Sequence, residues 1–163
     1  MKTLLWMITC SFLFAAPAMS EKLPAKFNLQ KITSKSKLGS KNWKKKFTVV
    51  QFWASWCDGC SKNMKKLANW KKAKKVPFKH VTVSVDETLA EAKKYLQDLP
   101  TKYKQLKRIS FFDTGTVLAS SLDVEAVPAT FVINSKREIV GKIIGTLDAV
   151  KMKQLKEMIK GGV

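Results

Sequence analysis

Hydrophobic and polar positions change period several times along the chain, and each change predicts an element. Phe47-Thr48-Val49-Val50-Gln51-Phe52 is an apolar, β-prone run and predicts a strand. From about Cys57 to Lys75 the period becomes helical. Cys60, Met64, Leu67 and Ala68 recur at spacings of three and four, with Trp70 nearby, while Ser61, Lys62, Lys65, Lys66, Lys71, Lys72 and Lys75 occupy the other face. Pro77 closes this helix. His80-Val81-Thr82-Val83-Ser84-Val85 alternates and is β-branched, so it reads as a strand. Strand, helix and strand make a right-handed parallel unit. Asp86-Glu87 then opens a helix from about Thr88 to Leu99, with Leu89, Ala92 and Leu96 inward and Pro100 at its end.

The second half alternates similarly. Residues 101–108 are basic and irregular or weakly helical, Ile109 to Phe112 is a short strand, Asp113-Thr114-Gly115 a turn, and Val117 to Leu122 a short helix. A β-branched run through Asn134 starts at Val127-Pro128, where the proline lacks the N–H a ladder would use and marks an edge or the first strand residue. Arg137 to Ile144 is its hairpin partner. A last helix starts around Gly145-Thr146-Leu147-Asp148, with Thr146 the candidate cap and Leu147, Val150, Leu155, Met158 and Ile159 inward, and Gly161-Gly162 stops it. Residues 21–46 are polar and lysine-rich with scattered apolar positions (Leu23, Phe27, Leu29, Ile32, Leu38, Trp43) and read as an arm ending in a short strand or hairpin that docks on the core.

Candidate chemistry sits where the first strand meets its helix. Cys57 and Cys60 lie two residues apart there, with Cys57 at the helix N-terminus, whose partial positive charge and free N–H groups stabilise a thiolate. The thiolate is the form that attacks disulfides. Cys60, one turn further in, is close enough to close a small disulfide ring with Cys57. The arrangement suits thiol–disulfide exchange. Two other readings compete. Half a zinc site would need two more ligands, and the chain has no second cysteine pair and one histidine, His80. His80 itself reads as a surface or strand-start residue. The other is an inert structural disulfide.

The stretch Phe52-Trp53-Ala54-Ser55-Trp56-Cys57-Asp58-Gly59-Cys60 resembles the active site of thioredoxin-fold oxidoreductases, and most closely the bacterial periplasmic branch of TlpA, ResA and the cytochrome c maturation thioredoxins. Val127-Pro128-Ala129-Thr130-Phe131 matches the loop that in this fold carries a cis proline facing the cysteines. The resemblance implies an α/β thioredoxin fold: a central mixed sheet flanked by helices, with an N-terminal extension and a helical insertion. It implies Cys57 as nucleophile, Cys60 as the resolving cysteine, and a Cys57–Cys60 disulfide in the oxidised form. Trp56, Val127 and Pro128 would bind an extended substrate chain. No metal and no cofactor are expected.

Three positions depart from the family pattern. Gln51 stands where thioredoxins carry a buried acid, and Asn63 where some TlpA-like reductases carry a glutamate. Neither amide titrates, so water or Asp58 is left to serve Cys60. The dipeptide between the cysteines is Asp58-Gly59, without the branch's common proline. The Asp58 charge opposes the helix N-terminus beside the Cys57 thiolate. A less stabilised thiolate gives a more reducing couple, so the expected direction is reduction. Asp58, Gly59, Gln51 and Asn63 are therefore the expected tuning residues.

Composition narrows the setting. The 163 residues allow one ordinary domain, and a hydrophobic content of 45% builds a core. Residues 1–18 read as a signal peptide, with cleavage after Ala18 or at Ser20: Lys2 is its positive end, and its apolar run from Thr3 to Ala16 is too short for a membrane span. A retained membrane anchor is the lesser alternative. Cleavage removes Cys10 and leaves only the motif pair. The expected organisation is therefore a signal segment, an arm over 19–46 and a thioredoxin-like domain over 47–163, exported to the periplasm or a similar compartment. Thirty-one bases face twelve acids, a net charge of +19, and only Arg108 and Arg137 are arginines. So few arginines, with no recognition motif, argue against nucleic acid. The expected partners are protein thiol or disulfide substrates and a membrane electron donor or disulfide-exchange partner, with contact to anionic membrane or an acidic protein as a further use of the charge. The alternative function is an interaction module of the same fold, with the disulfide structural and the cationic surface binding a partner or membrane.

Overall fold

The computed structural model describes residues 21–43, 46–73 and 78–161. The signal segment, Cys10, Lys75 and the helix-closing Pro77 lie outside the described residues. The elements are β1 (Asn28–Lys31), β2 (Lys37–Gly39), β3 (Phe47–Trp53), α1 (Asp58–Lys72), β4 (Lys79–Ser84), α2 (Leu89–Gln97), α3 (Lys104–Ile109), β5 (Ser110–Phe112), α4 (Val117–Ser121), β6 (Ala129–Asn134), β7 (Ile139–Ile144) and α5 (Ala149–Gly161). Short 3₁₀ turns precede α3 and α4.

All seven strands form one mixed sheet in the order β2-β1-β5-β4-β3-β6-β7. β3, β4 and β5 run parallel, and the pairs β3–β6, β6–β7, β1–β5 and β1–β2 are antiparallel. All seven residues of β3 are buried, as expected for a central strand covered on both faces. On one face Val50, Phe52, Val81 and Phe131 pack against Leu118 and Leu122 of α4 and its C-terminal flank, and against Leu29, Leu38 and Trp43 of the arm. On the other, Trp53, Cys60, Met64 and Ala68 join Ala92, Leu96 and Leu106, while Val49, Leu67 and Val132 join Leu155 and Ile159 of α5. The arm's hairpin is β1–β2, and β1 pairs with β5, so the arm extends the sheet.

Cys57 is the extended N-cap of α1, which begins at Asp58, so the expected place at the helix N-terminus holds. Three local expectations are corrected. α2 is capped by Thr88, whose hydroxyl accepts from the Glu91 N–H while the Glu91 carboxylate accepts from the Thr88 N–H. Asp86 therefore does not open that helix. The last helix is capped by Asp148, whose carboxylate accepts from Lys151 N at 2.8 Å, so Thr146 is not its cap. Leu147 precedes α5, and the helix's own buried stripe is set by Met152, Leu155 and Ile159. Val150 is 66% exposed, and Met152 takes the inward position beside Leu155 and Ile159.

The third correction concerns His80. It is the second residue of β4, so the strand-start reading holds and the surface reading does not: it is 1% exposed, and neither ring nitrogen has a hydrogen-bond partner among the described residues. Burial, with the nearby Lys71 ammonium adding to it, pushes its pKa down to about 3. The unfolded ring titrates near 6.5, so the depressed native value stabilises the fold fully above that pH. The contribution is lost as pH falls from about 6.5 toward 3 and reaches roughly 2–3 kcal/mol of loss at pH 4.5. Urea unfolding between pH 7 and 4.5 is expected to show that decline. In His80→Gln, which cannot take up the proton, the slope flattens by the same amount. An identical slope in the two proteins overturns the assignment.

Candidate active site

β3 ends at Trp53, opposite Ser84 of β4, and the chain turns through Ala54-Ser55-Trp56. Cys57 N donates to Ala54 O at 3.2 Å, and the extended Cys57 (φ −92°, ψ 103°) enters α1 directly. Cys60 N donates to Cys57 O at 3.1 Å. This tight first turn brings the two Cα atoms to 5.4 Å, and the sulfurs are joined as a disulfide. Cys57 is 8% exposed and Cys60 is fully buried. Only the Cys57 side of the bond meets solvent, at the end of α1 where unpaired N–H groups and the helix dipole favour negative charge.

The Val127–Pro128 peptide is cis and leads into β6. Pro128 lies against the first turn of α1: a Cβ built on Gly59 would sit 3.8 Å from its ring carbons. Val127 is half-buried and packs on the cluster that holds Cys57 and Cys60. The Pro128 carbonyl accepts from Gly145 N at 2.7 Å, which ties this loop to the end of β7. Gly145 holds φ +87°, a conformation that favours glycine. That bend brings Thr146 Oγ1 within 2.9 Å of where a Gly59 Cβ would be. Gly59 is thus packed between Thr146 and Pro128, with no room for a side chain unless Thr146 turns away. Asp58 is exposed beside it.

Trp56 is 69% exposed, the largest apolar surface beside the disulfide, whereas Trp53 is fully buried and packs on Tyr95 of α2 with centroids 5.1 Å apart. Gln51 is buried beneath the motif. Its Nε2 donates to Cys60 O at 3.3 Å, and its Oε1 has no partner among the described residues. Asn63 is also buried, and both ends of its amide are used: Nδ2 donates to Gly145 O at 3.1 Å, and Oδ1 accepts from Leu147 N at 2.8 Å. Asn63 therefore braces α1 against the β7–α5 loop that positions Thr146.

Sequence reasoning did not place two nearby residues. Asp86 is buried, and its carboxylate accepts from Ser55 N and from the Ser84 hydroxyl, each at 2.7 Å. It holds the turn that carries Trp56. An acid two residues past the end of an alternating strand was the available signal, but the same acid also suits a helix start. Tyr95 contributes its ring to the wall behind Trp53. Burial pushes its pKa up, the Asp86 and Asp58 carboxylates add to that, and a hydrogen bond with Ser61 opposes it. Its inward position needs the packing of α2 on α1, which no local pattern reveals.

The contact between Gly59 and Thr146 is testable by a double-mutant cycle. Gly59→Ala alone gains helix propensity but meets Thr146 Oγ1, and a net loss of about 1 kcal/mol is expected. In a Thr146→Ala background the same change is expected to be neutral or stabilising, a coupling of about 1 kcal/mol in urea unfolding. Additive effects overturn this account.

Comparison with known proteins agrees with this geometry. The Redoxin family profile matches residues 17–159. Thiol-disulfide oxidoreductase ResA of Bacillus subtilis (strain 168) is 26% identical over 120 residues, covering 73% of this chain and 64% of that protein. Its namesake from Bacillus cereus is 27% identical over 126 residues, covering 77% and 66%. The chain thus spans about two thirds of the length of the curated relatives it matches. Among solved structures, StoA from Bacillus subtilis superposes with a TM-score of 0.63 at 26% identity, covering 84% of this chain and 98% of that one. The exposed lipoprotein thioredoxin Etrx1 from Streptococcus pneumoniae strain TIGR4 gives 0.68 at 23% identity, covering 82% and 99%, a likeness of fold. With a family match over nearly its whole length, a seven-stranded thioredoxin-type sheet and a Cys57–Cys60 pair at the head of α1, the chain belongs to the Redoxin family.

Proposed function

We propose that this chain is an exported thiol–disulfide oxidoreductase that exchanges disulfides with protein substrates through Cys57 and Cys60, in the reducing direction. The observation that carries the reading is a Cys57–Cys60 disulfide at a helix N-terminus that meets solvent only through the Cys57 side, with a cis proline beside it. In the reduced protein the Cys57 thiolate attacks one sulfur of a substrate disulfide. A Cys57–substrate disulfide forms, and the other substrate sulfur leaves as a thiolate. Cys60, having lost its proton, then attacks Cys57 Sγ. This closes the Cys57–Cys60 bond and releases the second substrate sulfur. Two electrons pass to the substrate, and the disulfide seen in the structure is the spent form.

Exposed Trp56 and the Val127–Pro128 backbone form the surface on which an extended substrate chain would lie. Gln51 and Asn63 cannot take the Cys60 proton, so water or Asp58 accepts it. Asp58 also places negative charge beside the Cys57 thiolate, which favours the disulfide form and makes the couple reducing. Such a reductase must itself be re-reduced, which points to a membrane electron donor. Export rests on the signal-like pattern of residues 1–18. Among the described residues no helix is long and apolar enough to cross a membrane. The lysine-rich surface suits an acidic partner or an anionic membrane. The two amides in place of acids favour a second reading, an interaction module with a structural disulfide.

Substitution separates the readings. Cys57→Ser is expected to abolish disulfide exchange, and Cys60→Ser to accumulate mixed disulfides with substrate proteins on non-reducing gels. Partner binding that survives Cys57→Ser while the wild type shows no exchange favours the module. Equilibration with dithiothreitol buffers is expected to give a reduction potential at or below about −250 mV, near thioredoxin's. A value near about −120 mV reverses the direction to disulfide formation.

A further inference from the structure

The disulfide occupies the end of the sheet where β3 and β4 finish. A cavity of about 720 Å³ opens at the opposite end, where β4 begins and α1 finishes. About 16 Å of helix axis separates Cys60 from Lys71 at ~1.5 Å rise per residue. The volume is within the range of small-molecule sites.

The wall is chemically lopsided. Lys71 and Lys72 reach it from the last turn of α1 and Lys102 from the turn before α3, and no lining residue among those described is acidic. The lysine heads lie near ring faces rather than carboxylates: Lys71 Nζ is 5.9 Å from the Phe78 centroid and Lys102 Nζ 5.4 Å from that of Tyr103. Neither ion pair found among the described residues, Lys22–Glu138 or Lys160–Glu157, involves a lysine of this cavity. The Tyr103 ring and Ile109 supply apolar surface.

His80 gives the cavity a specific polar contact. It is 1% exposed and lines the cavity, and neither ring nitrogen has a hydrogen-bond partner among the described residues. Buried polar groups are almost always paired, because an unpaired one carries its full desolvation cost. A neutral imidazole presents one N–H donor and one acceptor. A bound molecule touching it relieves that cost, and the surrounding ammonium groups select the sign of its charge.

We propose that this cavity binds a small organic anion with a planar or apolar body, its carboxylate-like group accepting from the His80 N–H among the ammonium groups of Lys71, Lys72 and Lys102, and its body seated against Tyr103 and Ile109. The site is independent of the redox reading, since it uses neither cysteine nor the loop around Pro128.

His80 is the sole histidine of the chain, so its Hε1 proton gives a single NMR signal in the untagged protein. Titration with 1-naphthoate is expected to move that signal saturably. The uncharged 1-naphthalenemethanol is expected to bind at least tenfold more weakly. The double variant Lys71→Met/Lys72→Met, altered only at exposed positions, is expected to lose at least tenfold in naphthoate affinity with unchanged urea unfolding. Three results overturn the proposal: a His80 signal unmoved or drifting without saturation up to millimolar naphthoate, equal affinity for the alcohol, or equal affinity in the lysine variant.

Discussion

The antiparallel register of β3 against β6 sets Phe52 opposite Ala129, and the site depends on that pairing. It places the residue after Pro128 level with the penultimate residue of β3, so the cis peptide lies beside the turn that carries Cys57. Side chains alternate across a strand, so a slip of one residue would turn Pro128 away from α1 and exchange the two buried faces of β6. The register is held because both faces of β3 are buried. Val50 and Phe52 commit to one layer, and Val49, Gln51 and Trp53 to the other. Each fully buried side chain of this size contributes about 1.5–3 kcal/mol relative to exposure, so a slip would forfeit several at once.

That second layer is not wholly apolar. Ser110, Thr82, Gln51 and Thr130 stand side by side on β5, β4, β3 and β6. The Thr82 and Ser110 hydroxyls are 2.6 Å apart, and Ser110 donates onward to Leu106 O. Gln51 reaches the Cys60 carbonyl, while Thr130 Oγ1 has no partner among the described residues. A row of neutral polar groups thus runs under the buried cysteine. It can fix the backbone of α1 but cannot store a proton, which is the chemical content of the Gln51 departure. Asn63 tells the same story, since its amide is spent on the backbone of Gly145 and Leu147.

Charge is distributed differently at the two ends of the molecule. Around the disulfide, Asp58 and Asp86 are the nearby acids, and Asp86 is consumed in holding Ser55. At the far end of α1, lysines gather around a cavity with no acid among its described lining residues, and Lys71 adds to the burial that keeps His80 neutral. The helix dipole matches this polarity, with its positive end under Cys57 and its negative end among Lys71 and Lys72.

By itself the sequence determined the strand–helix–strand unit, the position of Cys57 at a helix start and the likeness of Val127-Pro128 to a cis-proline loop. These are local: a period of two giving way to one of 3.6, and a reactive pair at the junction. It also identified Gln51 and Asn63 as amides in place of acids. Tertiary structure alone decided what those amides touch, because their partners at Cys60, Gly145 and Leu147 are brought by packing rather than by spacing. The same holds for Gly59, which is small because Thr146 approaches from 87 positions along the chain. Strand alternation alone could not say that His80 is enclosed. Burial there depends on α1 and α3 both packing over the start of β4, and the charge state of the ring follows from that enclosure.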